Sequence, residues 1–405
     1  MMGEILFLVH RIPYPPDRGD RIRSYHILRH LAARAPVHVV GFVDRPSDLA
    51  KVAPLRKVCS SMFVDVRRSR ISAGLRAMTK GDSISLTAFR SRAMKAEVKR
   101  LLKKRPIDTI FAYSGQMAQF VPEDRGGRRF VMDFVDVDSE KFASYGAKAG
   151  GPKGWIHRRE GELLQAFEIE TAERADVSLF VSEAEAAVFR RISGQGVDKV
   201  KAVDNGIDTD YFDPAAFPRK DEQNDPLIVF TGQMDYKPNV DAVEHFAKRT
   251  FRAIRAKHPN AVFAIVGRDP TPAVKALANR NVIITGEVPD VRPWLAAATV
   301  VVAPLEIARG IQNKVLEAMA MARPVVVSQP AFEGLDAEPG KHLIVAERLD
   351  LANAVSDLIR DPAAAEAMGR TARQWMIERY GWDAQLAALD AMIGLDATDG
   401  EVTTA

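Results

Sequence analysis

The chain has 405 residues, 47% hydrophobic and 27% charged, with a formal net charge of +4. That balance is ordinary for a soluble globular protein, and the length predicts two domains of roughly 200 residues rather than one core. The single cysteine, Cys59, excludes an internal disulfide and fits a reducing cytosol.

Apolar runs bounded by turn residues recur at Ile5–Val9, Val37–Phe42, Ser61–Val66, Thr109–Ala112, Phe130–Phe134 and Val177–Phe180. Helical stretches such as 22–34 and 92–104 fall between them, so the pattern predicts a parallel sheet flanked by helices. No signal peptide is expected from the start, because Glu4 interrupts it and the first apolar run is short. No apolar run approaches the roughly 20 residues that span a bilayer, so a cytoplasmic or membrane-peripheral protein is expected.

The first strand leads into the loop His10-Arg-Ile-Pro-Tyr-Pro-Pro-Asp-Arg-Gly19-Asp-Arg-Ile-Arg23, where Gly19 permits close backbone approach and Arg18, Arg21 and Arg23 offer cations to an anion. It lacks the G-x-G-x-x-G of a dinucleotide fingerprint, and read alone it is equally a proline-rich loop with exposed arginines. His10 at the strand end reads as a satisfied structural group. His26 and His30 lack the partners of a metal site.

Charge is unevenly spread. Residues 67–105 carry thirteen Lys or Arg against Asp82 and Glu97, a local net of +11 that leaves −7 for the rest. Interleaved apolar residues make this stretch amphipathic. It reads either as a solvated helical face or as a docking face for an anionic membrane. Nucleic acid is the weaker partner, since no recognised binding motif accompanies the charge.

Asp136-Val-Asp138 follows the Phe130 strand, which places Asp136 at a carboxyl edge suited to orienting or deprotonating an acceptor hydroxyl, or to capping the next helix. Residues 206–226, rich in Asp, Asn and Pro, read as a linker between a first domain of 1–205 and a second of 227–379. The strand pattern restarts at Leu227–Thr231, then Val262–Val266, Val282–Thr285, Thr299–Ala303 and Val325–Val327. The chain is helical from about 350 to 393, with a disordered tail at 396–405.

Two loops of this second series stand out. After Leu227–Thr231 comes Gly232-Gln-Met-Asp-Tyr-Lys237-Pro-Asn239, with a glycine for close approach and a lysine for phosphate. After Ala297–Pro304 comes Arg309-Gly-Ile-Gln312-Asn313-Lys314-Val-Leu-Glu317, a polar loop opening a helix. A helix that begins directly after a parallel strand turns backbone N–H groups and its positive end toward an anion. Lys314 adds a charge in the first turn, and Glu317, one turn deeper, accepts from hydroxyls. Phosphate plus ribose is the ligand that suits this pattern.

Together with Pro13–Ser24, Val181-Ser-Glu183, Asn205-Gly-Ile-Asp208 and Tyr380-Gly-Trp382, these segments resemble a GT-B glycosyltransferase of the large retaining family that builds polysaccharides from nucleotide-sugars. The likeness spans roughly residues 3–393 and is nearest to the sugar transferases of exopolysaccharide (PEP-CTERM/exosortase) systems. It implies two doubly wound Rossmann-like α/β domains facing across a cleft, with a helix at about 380–395 returning to the first. It implies retention without a metal or other cofactor, a nucleotide-sugar donor, and a glycan or polyprenyl-linked acceptor. By the same resemblance Gly19 sits against the diphosphate or the donor sugar, Lys237 faces the diphosphate, Glu317 holds the ribose, and Gly267-Arg-Asp269 with Glu287-Val288 flank the base.

Two departures stand against the family pattern. The residue eight before Glu317 is Arg309 where an acid is usual, which reads as a contact to a sugar carboxylate or phosphate, or as drift. Gln233 stands where an arginine is usual, and Lys237 falls five rather than six residues after the glycine, so Lys314, Arg309 or Arg23 is expected to compensate. A nucleotide-sugar epimerase of the same fold and a non-catalytic subunit of a polysaccharide complex are the alternative readings.

Overall fold

The computed structural model describes residues 3–16, 19–67, 74, 76–77, 79–218, 225–308 and 311–394. It divides into two compact units, 1–205 with 385–405, and 206–384.

The first unit is built on a seven-stranded sheet of β1 (Glu4–Val9), β2 (Val37–Val43), β3 (Ser61–Val66), β4 (Ile107–Tyr113), β5 (Arg129–Val135), β6 (Val177–Phe180) and β7 (Val200–Ala202). Its order is β3-β2-β1-β4-β5-β6-β7, and every neighbouring pair is parallel. The central strands are continuous apolar runs because helices cover both faces. Ile5 to Val9 are all fully buried. The three-residue β7 was not legible in sequence, since Val200-Lys-Ala is too short to carry a period.

Among the described residues the second unit has six strands, β8 (Leu227–Thr231), β9 (Val262–Val266), β10 (Val282–Gly286), β11 (Val300–Ala303), β12 (Val325–Val327) and β13 (Ile344–Val345). Their order is β10-β9-β8-β11-β12-β13, again all parallel. In both sheets the strand order reverses beside the unit's first strand, between β1 and β4 and between β8 and β11. Ligands of open α/β sheets bind at the carboxyl edge of such a point.

The stretch read as a linker is packed structure through residue 217. Ile207 N–H donates to the Tyr380 carbonyl at 2.7 Å, Arg373 donates to the Phe212 carbonyl at 2.7 Å, and Phe212 lies in the second unit's core. Residues 219–224 lie outside the described residues, as do 395–405. Near the C-terminus, Asp390 accepts from Arg34 at 2.8 Å and meets His30 Nε2 at 2.9 Å, while Arg129 donates to the Met392 carbonyl at 3.0 Å. These bonds tie the Leu389–Met392 helix to the first unit.

Arg23 is the largest fully buried side chain, 1% exposed. Its Nε and Nη2 lie 3.1 and 3.0 Å from Asp133 Oδ2, and its Nη1 donates to the Val203 carbonyl at 2.7 Å and to Asn205 Oδ1 at 3.1 Å. Burial pushes the Asp133 carboxyl up, and the Arg23 guanidinium opposes that rise. Asp133 Oδ1 also accepts from Val135 N–H at 3.0 Å, holding a β-branched residue at a φ of +74°. Removing one partner strands a buried charge, so Arg23→Met is expected to cost the first unit about 3–5 kcal/mol, and Arg23→Met with Asp133→Leu less. Urea unfolding measures this. Equal loss in the single and double variants would contradict the ion-pair account.

Candidate functional site

The carboxyl edge of the second sheet opens into a cavity of about 530 Å³. Of the residues singled out in sequence, Gly232, Gly267, Val288, Gln312, Asn313, Lys314 and Glu317 all line it. They are contributed by the loops after β8, β9 and β10 and by the first turns of the Asn313–Ala320 helix.

Two glycines fix the floor. Thr231 and Val266 are register partners, so Gly232 and Gly267 follow side by side. Gly232 N–H donates to the Val266 carbonyl at 3.0 Å. A Cβ at 267 would overlap the Gly232 carbonyl oxygen, and one at 232 would come within 2.9 Å of Asn239 Nδ2 and 3.2 Å of Lys314 Nζ. Both positions have a φ of +155°, which side chains rarely adopt.

Lys314 Nζ lies in this gap. It donates to Asn239 Oδ1 at 2.5 Å and sits 4.3 Å from the Phe230 ring centroid. Asn239 Nδ2 donates onward to the Gln233 carbonyl at 2.9 Å, which fixes the amide's orientation. Burial pulls the Lys314 ammonium down to about 8, with Glu317 opposing. Burial likewise raises the Glu317 carboxyl to about 7, with Lys314 opposing. Among the described residues the Glu317 side chain has no hydrogen-bond partner. Thr231 Oγ1, buried in the same wall, also has none. An unpartnered carboxylate, an ammonium and a helix N-terminus in one cavity form a site for a ligand with hydroxyls at one end and negative charge at the other.

The remaining sequence candidates are placed elsewhere. Lys237 opens the Lys237–His245 helix with its side chain 82% exposed and paired with Asp241 at 2.7 Å, off the cavity lining. Arg23 is enclosed in the first unit, its guanidinium taken up by Asp133, Val203 and Asn205, so it is not presented to a donor. Gly19 starts the Gly19–Ala32 helix in the open, where an added Cβ would meet nothing within 4 Å. Asp136 is exposed at the end of β5, and Asp138 accepts from Gln116 at 3.0 Å. Arg309 and Arg18 lie outside the described residues. Thr231 and Asn239 were not assigned roles from sequence; their places abreast of Gly232 emerge only with the strand register.

Residues 225–361 match the family model for glycosyl transferases group 1. The matched residues lie within the second unit. The chain is 25% identical over 406 residues to a GDP-mannose-dependent alpha-(1-6)-phosphatidylinositol monomannoside mannosyltransferase of Mycolicibacterium smegmatis, covering 94% of this chain and 96% of that protein. It is 23% identical over 268 residues to glycogen synthase of Mycobacterium tuberculosis, covering 64% of this chain and spanning only 63% of the synthase's length. Among solved structures, Anabaena Alr3699/HepE in complex with UDP superposes with a TM-score of 0.63 at 16% identity, over 96% of this chain and 99% of that one. The fold is therefore GT-B, two parallel-sheet α/β domains in one chain.

The half-buried Glu317 gives a pH test of this site. Unfolded, its carboxyl loses the proton near 4.5; folded, it keeps it to about 7. The folded state thus holds the extra proton between those values, and stability from this group falls as pH rises through that window. Glu317→Gln removes the slope. The variant is expected to gain on the parent by up to about 3 kcal/mol between pH 4.5 and 7. Urea unfolding at the two ends of the window reads the difference, and a constant difference would refute the buried carboxyl.

Proposed function

We propose that this protein is a glycosyltransferase that moves a sugar from a nucleotide-sugar to a glycan acceptor. The observation that carries the reading is the unpartnered Glu317 carboxylate one helical turn from Lys314, in a 530 Å³ cavity at the sheet's switch point. A ribose diol donates to Glu317, and the diphosphate takes Lys314 and the first turn of the Asn313–Ala320 helix. These groups stabilise the leaving nucleoside diphosphate electrostatically, which is the role a metal plays elsewhere. Retention by front-side attack needs no carboxylate nucleophile; among the described residues the carboxylates lining the cavity are Glu287 and Glu317. Arg309, eight residues before Glu317, is the proposed contact for the donor sugar or phosphate, and Asp136 the group that orients an acceptor hydroxyl. UDP and UDP-glucose in complexes of Alr3699/HepE, and the GDP-mannose dependence in the name of the mycobacterial mannosyltransferase, support the donor class.

Calorimetry with UDP, GDP and ADP tests the site. At least one is expected to bind, with Glu317→Ala and Lys314→Ala each weakening it about 10- to 100-fold, the worth of a hydrogen bond to a charged group. Unchanged binding in both variants rejects the assignment. Turnover of a nucleotide-sugar without acceptor would point instead to an epimerase.

We further propose a lipid-linked acceptor in exopolysaccharide assembly, met by a cytoplasmic protein at an anionic membrane. The basic segment supports this in a narrower form than its sequence suggests. Arg67, Arg90, Arg100 and Arg105 are paired with Asp44, Asp82, Glu97 and Glu4. Arg68 and Arg70 lie outside the described residues. Lys95, Lys99 and Lys103, one turn apart on the Arg92–Lys104 helix, are exposed without an ion-pair partner among the described residues. They rim a groove of about 690 Å³ floored by Val98, Leu102, Phe120, Val121 and Pro122. Each lysine near an anionic surface contributes about 1 kcal/mol, so replacing all three with alanine is expected to weaken sedimentation with phosphatidylserine vesicles on the order of 100-fold. Equal binding of the parent to neutral and anionic vesicles would rule this face out.

A further inference from the structure

We infer that Arg268 is the second cation of the diphosphate site, delivered from the loop after β9 and aimed by Gln233 from the loop after β8. The inference rests on the nucleotide-sugar reading and assigns a residue within it.

Among the described residues lining the cavity, only Lys314 and Arg268 are cations, against Glu287 and Glu317. A diphosphate carries more charge than one buried amine balances, and burial already holds the Lys314 ammonium down at about 8. The family resemblance places the missing arginine at 233, where this chain has glutamine. The geometry replaces it across the sheet. Because Gly232 and Gly267 stand abreast, residue 268 falls beside residue 233, and Met234 N–H donates to the Arg268 carbonyl at 2.9 Å. Thr271 N–H donates back to the Met234 carbonyl at 3.3 Å, so the two loops are laced together and the Arg268 backbone is fixed. From there the guanidinium reaches Gln233 Oε1 at 3.1 Å through Nη2.

A glutamine carbonyl accepts one guanidinium N–H and leaves the rest of the planar fork to a phosphate. An arginine at 233 would instead repel Arg268. Gln233 and Arg268 are thus a matched pair, with Gln233 a positioning residue. Asp269 is the one competitor for this guanidinium among the described residues, at 3.7 Å and well exposed, a weak pairing that a bound phosphate displaces.

Arg268 is itself 59% exposed, so its removal does not threaten the fold. Calorimetry compares the parent, Arg268→Ala, Gln233→Ala, and Arg268→Ala with Gln233→Arg, each against the best-bound nucleoside diphosphate and the matching nucleoside. The inference expects Arg268→Ala to lose about tenfold or more for the diphosphate with the nucleoside unchanged, a smaller loss in Gln233→Ala, and recovery in the double variant. Equal loss for nucleoside and diphosphate would mean Arg268 serves the base, and no loss at all would leave it a solvated side chain; either overturns the inference while the site reading stands. A parent that binds no nucleoside diphosphate overturns both.

Discussion

Backbone contact between Gly232 and Gly267 is the constraint on which the second unit's site depends. Neighbouring parallel strands run about 4.8 Å apart, and side chains usually force their loops to diverge at once. Here the ladder continues one residue past β8 and β9, because neither loop carries a Cβ at that level. The consequence is a flat backbone floor above which Lys314 lies. Any side chain at 232 would displace its ammonium and the Asn239 amide that receives it. Glycine is needed at these two positions for reasons of space as much as of dihedral angle.

Over that floor the electrostatics are left unfinished. Lys314 has one amide oxygen and an aromatic face, and Glu317 has no partner among the described residues. Burying either charge in this way costs free energy that a fold built only for stability would avoid. Both groups shift toward neutrality in response, the amine down and the carboxyl up. A ligand that brings a diphosphate to one and hydroxyls to the other restores both charged forms, so binding and protonation are linked at this site.

The parts of this arrangement that were legible in sequence are those encoded at short range. Lys314 and Glu317 are three apart on a helix that follows a strand, so one face and one edge could be read from spacing alone. Continuous apolar runs likewise located the long strands, though not β7 or the two-residue β13. Arg23 was not legible. In a loop-to-helix segment it looks like its neighbours Arg18 and Arg21, and what removes it from solvent is Asp133, 110 residues away. Lys237 shows the reverse limit, since a lysine in a promising loop took its partner four residues on along its own helix. Gln233 and Arg268 read as a loss and a base contact until the strand register put them side by side.

The first unit has the same topology and the same switch point, yet its carboxyl edge is chemically different. The arginine that enters it, Arg23, is consumed beneath the surface by Asp133, and the histidine at the end of β1 stacks on Tyr113 at 5.8 Å. Ser114 and Val135, at the ends of β4 and β5, adopt positive φ without being glycine. Such strain persists only where surrounding bonds over-determine it, and here the Asp133 carboxylate and carbonyl bind both residues, at 3.0 Å to Val135 N–H and 2.7 Å to Ser114 N–H. The edge is thereby held by hydrogen bonds to Asp133, with Asp136 exposed beside it. Two sheets with the same switch point therefore end in different groups. The second ends in two glycines whose backbones meet, and the first in a buried carboxylate that holds two residues at positive φ.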